Sequence, residues 1–326
     1  MQEINLRREI DMGMQQTTVR RGIVVGAVAL TAAVSLAGCG TSGTSSGSST
    51  KGKIAVVAAE NEYGSVASQI GGQYVSVTSV ESNPNTDPHT YEVSPGVAQA
   101  VSAAQVVIQN GVGYDDYMTK IESASPNSKR DVLNVQQLLG LPNSTPNPHL
   151  WYNPTTMPKV ADALASDFGA LDPGHAAYFK ANAATFITSL NPWLQAIAHF
   201  KATYPNTPVA TTEPVADYML QAAGADNLTP FTFQADIMNG VDPSPQDVSL
   251  ETSFFTQHKV KVFVYNQQVT DSLTQSFITT ARKAGVPVIG VYETMPVPGY
   301  NYQTWMLAEV NALQKAVVDH TSTTRL

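Results

Sequence analysis

Two stretches decide the organisation of this chain: Asp87-Pro88-His89-Thr90-Tyr91-Glu92 and, about sixty residues later, Asn147-Pro148-His149-Leu150-Trp151-Tyr152. Each contains a Pro-His pair followed two places on by an aromatic residue. Proline fixes its own φ and keeps the preceding residue out of the α region, so each histidine is predicted to lie on a stiff loop that aims its imidazole. A lone pair of this kind is more often structural. Neutral imidazole is the commonest metal ligand, however, and two copies favour a divalent metal site.

The composition narrows the possible classes of protein. The chain has 326 residues, of which 43% are hydrophobic and 13% are charged, an ordinary globular balance at a length that favours two domains. The formal net charge of −8 argues against nucleic acid as a partner and mildly favours a cation. A single cysteine excludes a disulfide framework and a cysteine metal cluster.

The N-terminal region has the pattern of a secreted lipoprotein. Arg20-Arg21 precede an apolar run over residues 22–37, and Leu36-Ala37-Gly38 lead directly into Cys39. The run is shorter than the roughly 20 residues that span a bilayer, so it predicts a signal peptide over residues 1–38, cleaved before a lipidated Cys39, rather than a transmembrane anchor or a buried thiol. Residues 39–52 are almost all Gly, Ser and Thr, which is typical of a flexible tether to the membrane.

From residue 53 onward, short β-branched runs alternate with helical stretches. This alternation predicts an α/β fold with two lobes, over residues 53–170 and 205–326, each a small, mostly parallel sheet flanked by helices. Between the lobes, Asp172-Pro173 begins a helical pattern, and residues 171–204 are predicted to form one long spine helix, kinked at Pro192.

Two acids follow predicted strands of the second lobe. Glu213 comes directly after the strand over residues 209–212, and Glu293 after the strand over residues 286–292. Either acid alone indicates a helix N-cap or a solvated surface. Ligands bind at the carboxyl ends of strands in open α/β sheets, so these acids together with His89 and His149 predict a four-ligand metal site in the cleft between the lobes.

Other candidate ligands are assigned structural or surface roles. Asp115 and Asp116 are predicted to form an exposed helix start rather than a second site. The remaining histidines fall in or near helices or in the terminal tail, away from the strand-exit pattern: His175, His199, His258 and His320.

Taken together, these motifs resemble those of the metal-specific solute-binding proteins of bacterial ABC importers, the zinc and manganese class that includes many lipoproteins. The resemblance covers about residues 53–320 and also rests on Asn110-Gly111-Val112-Gly113, Asp172-Pro173, Thr212-Glu213 and Pro243-Ser244-Pro245. It implies that His89 and His149 are the two histidine ligands of the first lobe. Glu213 falls where the family has a third ligand, His in many zinc proteins and Glu in many manganese ones, and Glu293 falls at the acidic fourth. Asn266 stands where members often have Glu.

The predicted function is a non-enzymatic extracytoplasmic receptor, monomeric and anchored through Cys39, that delivers one divalent ion to the permease of an ABC importer. Two imidazoles and two carboxylates favour manganese, with ferrous iron next and zinc as the alternative. Residues 93–146 contain no His, whereas many zinc members carry a His-rich loop there. Two other functions stay open: a metal-dependent hydrolase in which one acid is the general base, and an adhesin or structural lipoprotein with an incidental metal.

Overall fold

The computed structural model describes residues 52–88 and 91–326. The predicted signal peptide, Cys39, all but the last residue of the tether, and His89 lie outside the described residues.

Two four-stranded parallel sheets organise the described part of the chain. The strands of the first sheet are β1 (Ile54–Glu60), β2 (Val75–Glu81), β3 (Val106–Gln109) and β4 (Asp131–Asn134). Those of the second are β5 (Pro208–Thr211), β6 (Asp226–Asn227), β7 (Val262–Asn266) and β8 (Val288–Val291). The strand order is β2-β1-β3-β4 in one sheet and β6-β5-β7-β8 in the other, so the two lobes have the same topology. The prediction of two parallel α/β lobes is confirmed.

This strand order places a crevice at a defined position in each lobe. The order reverses between β1 and β3 in the first sheet and between β5 and β7 in the second. Loops that leave the carboxyl ends of neighbouring strands on either side of such a point diverge and leave room for a ligand. Glu213 and Glu293 follow β5 and β8 by two residues each, and His149 lies in the loop after the short helix that follows β4.

Helices cover both sheets. In the first lobe they are α1 (Asn61–Gly71), α2 (Pro95–Ala103), α3 (Asp116–Ala124), α4 (Val135–Leu139) and α5 (Thr156–Leu171). Ser94 caps the start of α2, because its hydroxyl accepts a hydrogen bond from the backbone N–H of Val97. Gly72 ends α1 with a φ of 53°, a conformation that favours glycine, and a β-carbon at this position would clash with the Tyr178 hydroxyl.

The predicted spine is two helices rather than one. Helix α6 spans Ala176–Ser189, α7 spans Asn191–Thr203, and Leu190 separates them. In a continuous helix Pro192 would have no N–H to donate to the Thr188 carbonyl and its ring would clash with that carbonyl, so the chain ends one helix and starts another with proline in the first turn. The prediction of one continuous helix is therefore wrong, although the interruption lies next to Pro192, where a kink was predicted.

Helices α6 and α7 lie within a hydrophobic core that contains residues of both sheets. Their inward faces contribute Phe179, Phe186, Trp193 and Phe200, all at most 2% exposed. Val56 of β1 and Val209 of β5 belong to the same core cluster. This continuity supports the role of the segment as a connection between lobes, while the lobe boundaries at residues 171 and 204 stay predictions.

The second lobe carries α8 (Asp217–Ala222), α9 (Phe231–Met238), α10 (Pro245–Thr256), α11 (Ser272–Lys283) and α12 (Tyr302–Asp319). Helices α9 and α10 were not predicted; their aromatic residues pack with β7 and α11 in a separate core cluster around Phe255, Phe263 and Phe277. Among the described residues, no helix is both long and apolar enough to cross a membrane.

Candidate metal centre

Three of the four predicted ligands lie in the described residues, and all three are buried. The exposed fraction is 0% for His149, 3% for Glu213 and 1% for Glu293. Glu213 and Glu293 lie on the loops after β5 and β8, as the sequence predicts, and His149 lies on the loop after α4. None of the three is therefore a solvated surface residue.

His149 is oriented by the residue two places before it. Asn147 Oδ1 accepts a hydrogen bond from the His149 backbone N–H at 3.0 Å and lies 2.8 Å from Nδ1 of the imidazole. Asn147 Nδ2 donates to the Pro214 carbonyl at 2.7 Å, which fixes the amide orientation. Because Oδ1 is only an acceptor, Nδ1 carries a proton, and Nε2 is left to face the site.

Glu293 meets His149 from the other lobe. Its Oε2 lies 3.2 Å from His149 Nε2 and accepts a hydrogen bond from the Tyr114 hydroxyl at 2.9 Å. Its Oε1 accepts from Asn266 Nδ2 at 2.6 Å. A carboxylate held by several hydrogen bonds has a fixed direction, as expected of a metal ligand with outer partners.

Tyr114 and Trp151 form an aromatic wall around His149. Their ring centroids lie 5.8 Å and 5.4 Å from the imidazole, and both approach it edge-on. Burial, with the nearby Glu293 carboxylate second, raises the pKa of Tyr114, so its hydroxyl remains a donor. The wall excludes water from one side of the His149–Glu293 pair.

Glu213 lies between two segments that contact the other ligands. The hydroxyl of the preceding residue, Thr212, accepts a hydrogen bond from the backbone N–H of Asn266 at 2.9 Å. The following residue, Pro214, offers the carbonyl that binds Asn147. The loop around Glu213 is thus fixed to the residues that orient both His149 and Glu293.

The described residues bring one pair of the predicted ligands into direct contact, His149 and Glu293. Within residues 52–88 and 91–326, no three His, Cys, Asp or Glu side chains are grouped so that they could hold a metal ion. His89 belongs to the predicted set but lies outside these residues. The complete four-ligand set therefore stays a prediction.

The comparison with protein families decides the class of this chain. The model of a family described as zinc-uptake complex component A, periplasmic (ZnuA), matches residues 56–316. The chain belongs to the ZnuA family. The family resemblance inferred from the two Pro-His motifs is confirmed.

Characterised relatives of this ZnuA-family chain include two manganese-binding lipoproteins named MntA. The one from Bacillus subtilis is 29% identical over 191 residues, which is 56% of this chain and 61% of that protein. The one from Halalkalibacterium halodurans is 27% identical over 205 residues, 62% of this chain and 68% of that protein. The matched region thus spans less than two thirds of the Bacillus subtilis protein.

Solved structures share the fold of this ZnuA-family chain. The substrate-binding protein (SBP) FpvC from Pseudomonas aeruginosa, in complex with Mn²⁺, has a TM-score of 0.67 at 19% identity and covers 82% of this chain and 99% of its own. A periplasmic metal binding protein from Candidatus Liberibacter asiaticus has a TM-score of 0.65 at 19% identity, covering 80% and 98%. At this identity the likeness establishes the fold.

Buried acids of the first lobe lie close to the candidate site of this ZnuA-family chain. Glu60 is the last residue of β1 and Glu62 lies in the first turn of α1; both are at most 2% exposed, and within the part of the chain that the structure describes their carboxyl oxygens have no hydrogen-bond partner. Burial raises the pKa of both, and neighbouring acids raise it further.

Asp115 is buried, so the prediction that it is exposed is wrong, whereas Asp116 is exposed and begins α3 as predicted. The Asp115 carboxylate accepts the backbone N–H groups of Asn110 and Gly111 at 2.7 and 2.9 Å, and burial raises its pKa to about 6. Asp115 therefore shapes the turn after β3. Neither residue is grouped with other acids as a second metal site in the described residues.

The other histidines occupy the structural or surface positions that were predicted for them. His175 Nδ1 lies 2.7 Å from Asp172 Oδ2, and its ring stacks on Tyr74 with the centroids 3.8 Å apart. His199, His258 and His320 are exposed.

Sequence reasoning noted Asn266 only as a departure from the family pattern and missed the role of its segment in supporting Glu293. Asn266 and Gln268 are at most 9% exposed, and both contact Glu293: Asn266 through the carboxylate and Gln268 through the backbone N–H. The available signal was a run of three amides, Asn266-Gln267-Gln268, that begins at the last residue of the buried strand β7. Polar residues at that point face the same crevice as the predicted ligands.

Proposed function

We propose that this chain is an extracytoplasmic receptor that captures a divalent transition metal ion and delivers it to the membrane permease of an ABC importer. One observation carries the proposal: His149 Nε2 and Glu293 Oε2, from loops of different lobes, lie 3.2 Å apart with both side chains 0% exposed. Asn147 on one side and Tyr114 with Asn266 on the other aim these two donors at each other. Imidazole nitrogen and carboxylate oxygen are the donors that such ions bind in proteins.

The proposed ligand set is His89, His149, Glu213 and Glu293. Its support is the repeated Pro-His motif, the burial of Glu213 at a strand exit of the second lobe, and membership of the ZnuA family. Two donors from each lobe would connect the lobes through the ion. Because an ion bound in this way is held only in the folded state, binding would raise the melting temperature.

The same donor set favours binding over catalysis. A catalytic metal keeps an open position for water or substrate, whereas four protein donors close a tetrahedral site. The family is one of substrate-binding components of importers. We therefore propose that the chain has no enzymatic activity of its own.

The proposed location is the outer face of the cytoplasmic membrane. Cys39 would carry the lipid, residues 40–52 would form the tether, and the folded part would act as a monomer. Two relatives are lipoproteins by name, and the family is described as periplasmic.

The proposed cargo is manganese, with ferrous iron next. Two carboxylates form a harder site than a set dominated by imidazole, and a bidentate carboxylate raises the coordination number towards the six that manganese prefers. The MntA relatives are manganese-binding proteins by name. Zinc would still bind more tightly in vitro, because affinity follows the Irving–Williams order.

Metal analysis of protein purified without added metal, followed by competition titration, tests the proposal. We expect one divalent ion per chain, and His149→Ala should weaken its binding by about ten-fold or more. His175→Ala is the matched control, because His175 is bonded to Asp172 and lies outside the proposed site. Binding that survives His149→Ala but is abolished by His175→Ala would refute the proposed site.

A further inference from the structure

We propose that Gln268 is a positioning residue that connects the turn at Thr86, in the first lobe, to the loop carrying Glu293, so that the two lobes are held together beside this proposed ligand. The inference rests on the proposed function. Gln268 follows β7 by two residues and is 9% exposed. Its side chain has hydrogen-bond partners in both lobes.

On the side of the second lobe, Gln268 Oε1 accepts two backbone N–H groups. Glu293 and Thr294 each donate at 2.8 Å. These bonds fix the main chain at the ligand position itself. They also establish which end of the amide is the oxygen, because an amide nitrogen cannot accept hydrogen bonds from two N–H groups.

On the side of the first lobe, Gln268 Nε2 donates to the Thr86 carbonyl at 2.7 Å. Thr86 lies three residues before His89, and Pro88 stiffens the chain between them. Thr86 also closes a turn by donating its backbone N–H and its hydroxyl to the Asn83 carbonyl, at 3.3 and 3.1 Å. A bond to Thr86 therefore holds a preformed turn that leads into the Pro-His pair.

The two ends of this connection border the same cavity. Thr86, Pro88 and Thr294 line a cavity of about 320 Å³, together with Glu81 and Asp87. Gln268 Nε2 lies 3.2 Å from the Thr294 hydroxyl as well as 2.7 Å from Thr86. The Asp87-Pro88 segment forms one wall of this cavity and the segment after Glu293 forms another. The Gln268 amide thus joins the two walls.

This connection should act mainly on metal release. A site whose ligands are held in place before binding loses less free energy to ordering, and differences within one site appear mostly in the dissociation rate. Without the bond to Thr86, the first-lobe loop can separate from Glu293. The ion would then leave faster.

Gln268→Glu tests the donor half of the side chain. A carboxylate still accepts the N–H groups of Glu293 and Thr294, but it cannot donate to the Thr86 carbonyl. It also adds a negative charge beside the site, which on electrostatic grounds alone would tighten cation binding. The two effects have opposite signs, so the experiment separates them.

The probe is Mn²⁺, with affinity from competition titration and dissociation rates from mixing loaded protein with excess chelator. We expect Gln268→Glu to bind Mn²⁺ about ten-fold more weakly, with most of the change in the dissociation rate. Gln267→Glu, which adds the same charge one residue away on a partly exposed side chain, should bind Mn²⁺ as tightly as the wild type or more tightly. Unfolding of the metal-free variants shows whether the fold is intact.

Equal or tighter binding in Gln268→Glu, or an equal loss in Gln267→Glu, would overturn the role of Gln268. If Gln268→Glu does not fold, Gln268→Met replaces it, because methionine has similar length without charge and also lacks the donor to Thr86. For Gln268→Met, the expected loss of Mn²⁺ affinity and the outcome that would contradict the proposal are the same as for Gln268→Glu. A wild-type protein that binds no Mn²⁺ would overturn the proposed function before any variant is compared.

Discussion

Replacing Asn147 with alanine should weaken Mn²⁺ binding about 10- to 100-fold, although Asn147 is not a proposed ligand. The amide accepts from the backbone N–H of His149 and holds Nδ1 of its imidazole, at 3.0 and 2.8 Å. It also donates to the Pro214 carbonyl at 2.7 Å, next to Glu213. The substitution therefore releases the imidazole on one side and the Glu213 loop on the other.

Two separate magnitudes follow from these contacts. Three hydrogen bonds at about 1 kcal/mol each give a loss on the order of 2–4 kcal/mol in the free energy of unfolding of the metal-free protein. Loss of the partner that fixes a histidine ligand usually lowers metal affinity by about 10- to 100-fold, or roughly 1.4–2.7 kcal/mol. The second effect is the one that reports on the site.

Asn153→Ala provides a matched control in the same loop. Asn153 Oδ1 accepts the Thr155 backbone N–H at 3.0 Å and its hydroxyl at 2.9 Å, the same two-residue turn that Asn147 makes with His149. It has no hydrogen bond to His149. Competition titration should separate the two variants, and denaturant unfolding of the metal-free proteins measures the stability change. If Asn147→Ala and Asn153→Ala bound Mn²⁺ with equal affinity, the orienting role of Asn147 would be refuted.

Three further predictions concern stability, anchoring and cargo. Burial raises the pKa of Glu309 to about 8, above its unfolded value, so its contribution to stability is complete below about pH 4.5 and is lost as pH rises through about 8. The free energy of unfolding of the wild type should therefore fall by an amount on the order of a few kcal/mol between those limits, and Glu309→Gln should remove this fall, as measured by denaturant unfolding across pH. A wild-type profile parallel to that of the variant would contradict this assignment. Cys39→Ala should shift the protein away from membranes in cell fractionation, and recovery of mature, membrane-bound protein would count against lipidation. A strain that lacks the protein should be rescued by manganese or iron, and rescue by zinc alone would show that the carboxylate argument for the cargo is wrong.

The sequence by itself determined the fold class and most of the strands. Strand β3 over Val106–Gln109, strand β4 over Asp131–Asn134 and helix α12 over Tyr302–Asp319 belong to the predicted alternation of short β-branched runs with helical stretches. These elements follow from local hydrophobic periodicity and from caps, such as the capping box of Asn301 with Thr304. The Pro-His motifs and the acids after the strands could also be recognised in the sequence, because proline and the end of a strand affect the backbone only within a few residues.

Only the tertiary structure decided which polar groups meet. His149 and Glu293 are 144 residues apart in sequence, and Gln268 and Thr86 are 182 apart, so no local pattern predicts either contact. The error on Asp115 has a different reason: its N–H donors, Asn110 and Gly111, are only five and four residues away, but the burial of that turn depends on the packing around it. The two contacts that build the candidate site and its support come from packing the two lobes together, since their partners lie on different lobes and far apart in sequence.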